Sequence, residues 1–194
     1  MTDRTQRGAT STDEDVVALL THQHDIIRDM FQQVERATGD ARRDAFRRLV
    51  HMLAVHETAE EEVVHPTARR AFEGGEQVVQ ERLEEERQAK EKLSRLESMN
   101  HEDPEFMPLF ITLRDAVLRH AEAEEQQEFT QLRANTDAKR LTRMASAVKA
   151  AEAVAPTHPH PGVESAAKNL ALGPIASIMD RTRDAVRKAM EKRG

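Results

Sequence analysis

The sequence contains no cysteine, no tryptophan and no tyrosine. Without cysteine there is no disulfide, no thiolate zinc site, no iron–sulfur cluster and no cysteine nucleophile. Without tyrosine there is no stored tyrosyl radical. Glycine and proline number only seven each in 194 residues, so turns must be few and helices long. β-Branched clusters alternating with period two are missing, which argues against strands. No apolar run approaches the ~20 residues of a membrane span. The first fifteen residues are polar, mixed in charge, and carry no apolar signal segment. A cytoplasmic location is expected. A formal net charge of −6 argues against nucleic acid as the main partner. For chemistry there remain nine histidines and an ample supply of glutamate.

Four helical segments are expected near 14–37, 41–72, 76–99 and 105–134. Gly39-Asp40, Gly74-Gly75 and the stretch Asn100 to Pro104 separate them. Asp103-Pro104-Glu105 reads as an N-cap followed by proline at the first helical position. Pro66 should kink the end of the second segment, because it has no amide to donate. Long helices with short connections predict an all-α fold, an antiparallel up-down-up-down four-helix bundle over residues 14–136. Residues 1–13 should be flexible. Residues 137–194 form an extension: an Ala-rich helix, a Pro-rich linker at 154–162, and a terminal amphipathic helix near 174–191. Ile175, Ile178, Met179, Thr182, Val186 and Met190 give that last helix an apolar side suited to docking.

The core-facing stripes carry the informative pattern. The first reads Val17, Leu20, His24, Ile27, Phe31, Val34. The second reads Phe46, Leu49, Leu53, His56, Glu60, Val63. The third reads Val79, Leu83, Glu86, Lys90, Leu93, and the fourth Phe106, Phe110, Leu113, Val117, His120, Glu124. Each apolar stripe is interrupted by histidine or glutamate. Antiparallel helices bring these interruptions to one level within about a helical turn. Burying so many ionisable groups costs several kcal/mol for each unpaired ion, and bound cations would remove that cost. His56-x-x-x-Glu60 and His120-x-x-x-Glu124 place both side chains of each pair on one face, one turn apart. Imidazole with carboxylate and no thiol suits iron, with manganese a poorer fit, more than zinc. Lys90 has no obvious place in a core and should snorkel to the surface.

The pattern resembles the hemerythrin-like HHE cation-binding family: a histidine, then His-x-x-x-Glu, then a single ligand, then His-x-x-x-Glu. The stretches His56-Glu-Thr-Ala-Glu-Glu-Glu and His120-Ala-Glu-Ala-Glu-Glu carry the likeness most specifically. The resemblance implies metal ligands at His24, His56, Glu60, His120 and Glu124, with Glu60 and Glu124 bridging two non-haem iron ions joined by an oxo or hydroxo group. The third helix departs from the family, which usually has histidine there. The register selects Glu86. Glu57, His22 and His65 are further candidates. His22 should lie on another face than His24, and nine residues turn His65 about 180° from His56 on an ideal helix. His51, His101, His158 and His160 should be solvated or capping. Glu62-x-x-His65 imitates a ferritin-type motif, but Val117 stands where the matching carboxylate would be.

The resemblance implies reaction with peroxide, dioxygen or nitric oxide in oxidative or nitrosative stress defence, with peroxidase, catalase-like or nitric-oxide-processing activity in view. The alternative is an iron or oxygen sensor or store without turnover. The expected partner is a small diatomic or peroxide ligand, with no membrane and no nucleic acid. The oligomeric state is open, with a monomer favoured.

Overall fold

The computed structural model describes residues 15–154 and 174–191. The expected flexible segment 1–13, nearly all of the linker with His158 and His160, and the side chain of Ile175 lie outside the described residues. Eight α-helices are described: α1 (Val16–Arg36), α2 (Gly39–Ala59), α3 (His65–Ala71), α4 (Gly75–Glu97), α5 (Phe106–Ala123), α6 (Thr130–Asn135), α7 (Ala138–Val154) and α8 (Pro174–Glu191). Two π-helical segments, Glu60–Val64 and Glu124–Phe129, join α2 to α3 and α5 to α6. The bundle thus has four arms: α1, α2–α3, α4 and α5–α6. There are no strands among the described residues, and no described helix is long and apolar enough to cross a membrane.

The turns follow local chemistry. Asp15 caps α1 by accepting a hydrogen bond from the Ala18 amide at 2.8 Å. Gly74 takes a left-handed φ of 80° between α3 and α4, where a Cβ would be strained. At Gly75 a Cβ would stand 2.4 Å from the Ala68 carbonyl oxygen, so only glycine lets the two arms close. Before α5, Asp103 accepts from the Glu105 amide at 2.8 Å, and the helix begins only at Phe106. The predicted proline-led start thus became a turn.

Two apolar cores fill the molecule, and every arm contributes to both. One holds Ile27, Phe31, Phe46, Leu49, Leu93, Phe106 and Phe110. The other holds Leu20, Val63, Val79, Phe129 and Leu132, together with Leu141, Met144 and Val148 of α7 and Val186 of α8. On α1 the boundary falls between Leu20 and Ile27; on α5 it falls after Val117. A single layer between the cores is left for His24, His56, Glu60, Glu86, His120 and Glu124.

The C-terminal helices are part of the second core. Thr182 and Val186 of α8 are buried, whereas Met190 is 46% exposed. Arg183 Nε donates to Glu62 at 2.7 Å, and Arg187 lies 3.5 Å from the same carboxylate. His101, expected to be solvated or capping, packs on Phe46 and Phe106, with ring centroids 5.8 and 5.2 Å apart.

Glu97, near the end of α4, is pushed up to about 7 by burial. The folded protein therefore holds that proton more tightly than the unfolded chain does. Stability is lost as pH rises through about 7 and is regained toward the ordinary 4.5. E97Q should raise stability by about 1 kcal/mol at alkaline pH, after discounting for partial exposure, and by little near pH ~5. Thermal melts at the two pH values check this; an equal change at both would refute the assignment.

Candidate metal centre

The site arises where the four stripes lose their apolar character. His24, His56, Glu60, Glu86, His120 and Glu124 are all buried. His24 Nε2 lies 3.4 Å from Glu124 Oε2 and 3.9 Å from Glu60 Oε1. His56 Nε2 is 3.4 Å from Glu60 Oε2, and His120 Nε2 is 3.3 Å from Glu124 Oε1. Two groupings of potential donors result: His24, His56, Glu60 and Glu124, and then His65, Glu86 and Glu124. Glu124 belongs to both.

These residues fit a cation, and the reason is a set of orphaned atoms. Both oxygens of Glu60, both oxygens of Glu124, and Nε2 of His24 and His120 are buried without hydrogen-bond partners. Orphaned buried polar atoms are rare, because each costs on the order of 1–3 kcal/mol. Here they converge on one another. Two donors on one cation, each about 2.1 Å from it, stand about 3.0–3.4 Å apart. Most of the closest separations observed come near that spacing.

The outer ring nitrogens complete the case. His24 Nδ1 lies 2.7 Å from Glu125, His56 Nδ1 2.7 Å from Gln23 Oε1, and His120 Nδ1 2.9 Å from Glu85. Each partner is an acceptor, so each Nδ1 carries a proton; with a cation bound each Nε2 would present its lone pair inward, His120 giving up the second proton that Glu124 and Glu85 hold on it in the metal-free chain. Arg82 holds Glu85 in turn at 3.1 Å. His120, with 9% of its surface exposed, is the most accessible of the inward-facing histidines, and Glu85 behind it is 42% exposed.

Electrostatics show how the chain balances its charges with protons. Burial, with His24 beside it, pushes His56 down to about 3, keeping it neutral as ligation requires. Burial and neighbouring Glu124 hold the Glu60 carboxyl well above its ordinary range. Burial is the largest influence and acts to raise Glu124, but His120 and His24 together outweigh it and hold that carboxyl well below its ordinary value. His120 is held well above 6.5: burial opposes this, and Glu124 and Glu85 prevail.

His65 departs most from expectation. The ideal-helix phase turned it away from His56, yet it is buried in the layer. Its Nε2 meets Glu86 at 2.8 Å and its Nδ1 meets Glu128 at 2.9 Å. The cause is the π-helical segment Glu60–Val64, in which the His65 amide bonds back to the Glu60 carbonyl. A π turn holds more residues than an α turn, so each residue rotates less and His65 comes round to the site. Pro66 then occupies the first turn of α3, where its missing donor costs little.

The other expected sites fall outside the layer. His22 is exposed on α1. Glu57 is buried but faces Lys90 at 3.4 Å. Burial lifts the Glu57 carboxyl to about 7 despite that lysine. Lys90 does not snorkel free. It is pinned by Glu57, Glu61 and Glu86, the last at 3.2 Å, and so fixes Glu86 from behind. Gln23, Glu85, Glu125 and Glu128 were missed as functional positions. Glu128 had a signal, since it continues the stripe four residues after Glu124; Glu85 and Glu125 lie one residue off the stripe and read as surface charge, and Gln23, also one residue off, as a solvent-facing amide.

Comparison with known proteins finds similar chains by sequence and by fold. The family model described as Hemerythrin HHE cation binding domain matches residues 15–132. An uncharacterized hemerythrin-like protein of Schizosaccharomyces pombe is 28% identical over 141 residues, covering 72% of this chain and 68% of that protein. A Nostoc protein named DNA nickase is 25% identical over 147 residues, covering 75% of this chain. The match spans only 41% of the nickase's length. The crystal structure of a hemerythrin HHE cation binding domain-containing protein from Mycobacterium kansasii gives a TM-score of 0.61 at 15% identity, covering 93% of this chain and 94% of the other. At that identity the likeness speaks for the fold.

Proposed function

Because the chain belongs to the hemerythrin HHE cation binding domain family, we propose that it holds two iron ions in the buried layer and uses them to break down peroxide. The observation that carries this reading is the convergence of orphaned carboxylate oxygens and imidazole nitrogens. One ion would be held by His24, His56, Glu60 and Glu124. The other would be held by His120, Glu124 and Glu86, with His65 beside it. His65 now bonds Glu86 directly, so it would exchange that bond for a share in ligation. Manganese has the same hardness and is the natural control metal.

An iron pair would supply two-electron redox chemistry. The chain supplies the bias. Three inner carboxylates make the centre strongly anionic, and carboxylates behind the rings of His24 and His120 raise imidazole basicity. Hard anionic donors favour the higher oxidation state, which suits turnover over reversible oxygen carriage. Peroxide disproportionation also balances without an outside reductant: one molecule is reduced to water while a second is oxidised to dioxygen. Nitric oxide or dioxygen reduction would need an electron donor. Glu85, at 42% the most exposed of the carboxylates behind the rings, and His120 in front of it mark the entry side.

The expected result is oxygen evolution from peroxide by the iron-loaded protein, none by the metal-free protein, and an oxo-to-iron charge-transfer band. A reduced protein that forms a stable, reversible oxygen adduct in air for many minutes would overturn the peroxide reading. A second reading, an iron sensor or store, draws on Arg183 of α8 bonding Glu62, two residues after Glu60. It predicts no turnover, together with proteolysis of the C-terminal helices that depends on iron.

A further inference from the structure

The C-terminal extension reaches the candidate centre through one side chain. Gln23 of α1 is 2% exposed and bridges to α7. Its Oε1 faces His56 Nδ1 at 2.7 Å, and its Nε2 donates to Glu152 of α7. Glu152 lies beyond the family-matched residues 15–132.

We infer that Glu152 fixes the position of the proton on His56, acting through Gln23, and so decides whether His56 can bind a cation. The inference rests on the iron-binding reading above.

An amide has one accepting end and one donating end. A carboxylate at 152 only accepts, so it holds the donating end of Gln23 toward α7. The accepting end must then face His56. Nδ1 therefore carries the proton, and Nε2 keeps its lone pair for the cation, as a metal-bound imidazole requires. Among the histidines with Nε2 turned inward, His24 and His120 have Nδ1 facing a carboxylate directly, which accepts whichever way it turns. Only His56 depends on an amide, which could present either end. Glu152 is thus a positioning residue two hydrogen bonds removed from the site. A donor at 152 would reverse the chain: the amide would turn, its N–H groups would face His56 Nδ1, and the ring proton would move to Nε2, where it blocks ligation.

The test uses the full chain loaded anaerobically with Fe(II). Iron per chain, its rate of loss to a chelator, and the oxidised absorption spectrum are measured beside the melting temperature of the metal-free protein. E152Q should release iron clearly more slowly than E152K, because its amide can still accept from Gln23, though it can also donate to it. E152K should release iron at least about 10-fold faster, the scale on which partners behind a ligand act. The exchanged pair Q23E with E152Q keeps an acceptor on His56 and a donor behind it, and should bind iron like the parent. Parent-like release by E152K, or equal impairment of E152Q and E152K, would overturn the inference. Should E152K fail to fold, E152A carries the comparison: release as slow as that of E152Q would overturn it too. If the parent itself takes up no iron, the iron-binding reading falls first and this inference falls with it, a result plainly different from iron-loaded parent and variants behaving alike.

Discussion

Replacing Glu124 with alanine is expected to empty both cation positions at once. Glu124 is the one carboxylate common to both donor groupings. Its Oε2 faces His24 and its Oε1 faces His120, at 3.4 and 3.3 Å. Neither oxygen has a hydrogen-bond partner to hold it there for any other purpose. Losing it removes a donor from each position and the negative charge between two like-charged ions. Affinity should fall by more than the about 100-fold reached on losing a partner behind a ligand. E86A touches one position only and should leave iron at the other. Elemental analysis after dialysis would show near-zero iron in E124A and a partial content in E86A. Parent-level iron in E124A would mean that the ions, if bound, sit elsewhere.

What made this site readable in advance was the breaking of apolar stripes. His24 between Leu20 and Ile27, and His56 and Glu60 between Leu53 and Val63, announce a buried polar layer because helical phase alone puts them inside. The same phase argument failed at His65. Nothing local in Glu60-Glu61-Glu62-Val63-Val64 announces a π turn, and without one the ring points outward. Lys90 and His101 escaped for another reason. Their surroundings come from distant segments, Glu57 and Glu61 for one and Phe46 for the other. Gln23 is the sharpest case. Its role exists only when α7 packs against α1, and no spacing within α1 encodes a partner at position 152.

Removing metal should also change the sign of a mutation's effect. In the metal-free protein at a pH where Glu60 ionises, E60Q is expected to stabilise the fold by about 1–3 kcal/mol, the scale of a buried polar group left without a partner. For a domain this size, that is several degrees in melting temperature, at roughly 2–4 °C per kcal/mol. The cause is an acceptor facing acceptors. Glu60 has both oxygens unpartnered, near the Nε2 atoms of His24 and His56. The amide that replaces this carboxyl would donate N–H at every pH, where the ionised carboxylate sets a lone pair against a lone pair. Burial and Glu124 already hold the Glu60 carboxyl well above 4.5. The folded chain therefore binds that proton more tightly than the unfolded chain. Metal-free stability should rise as pH falls from the folded value toward 4.5. The amide cannot titrate, so the variant should lack that part of the slope. With iron bound the order reverses, because the parent's carboxylate then faces the charge it is placed for. Ligand binding adds about 2.7 kcal/mol at a hundredfold excess over Kd, and the variant would forgo much of it. Melting curves of both proteins, with iron and with chelator, should therefore cross. Parallel curves, with E60Q less stable in both conditions, would mean that Glu60 serves the fold as an ordinary buried polar group and not a cation.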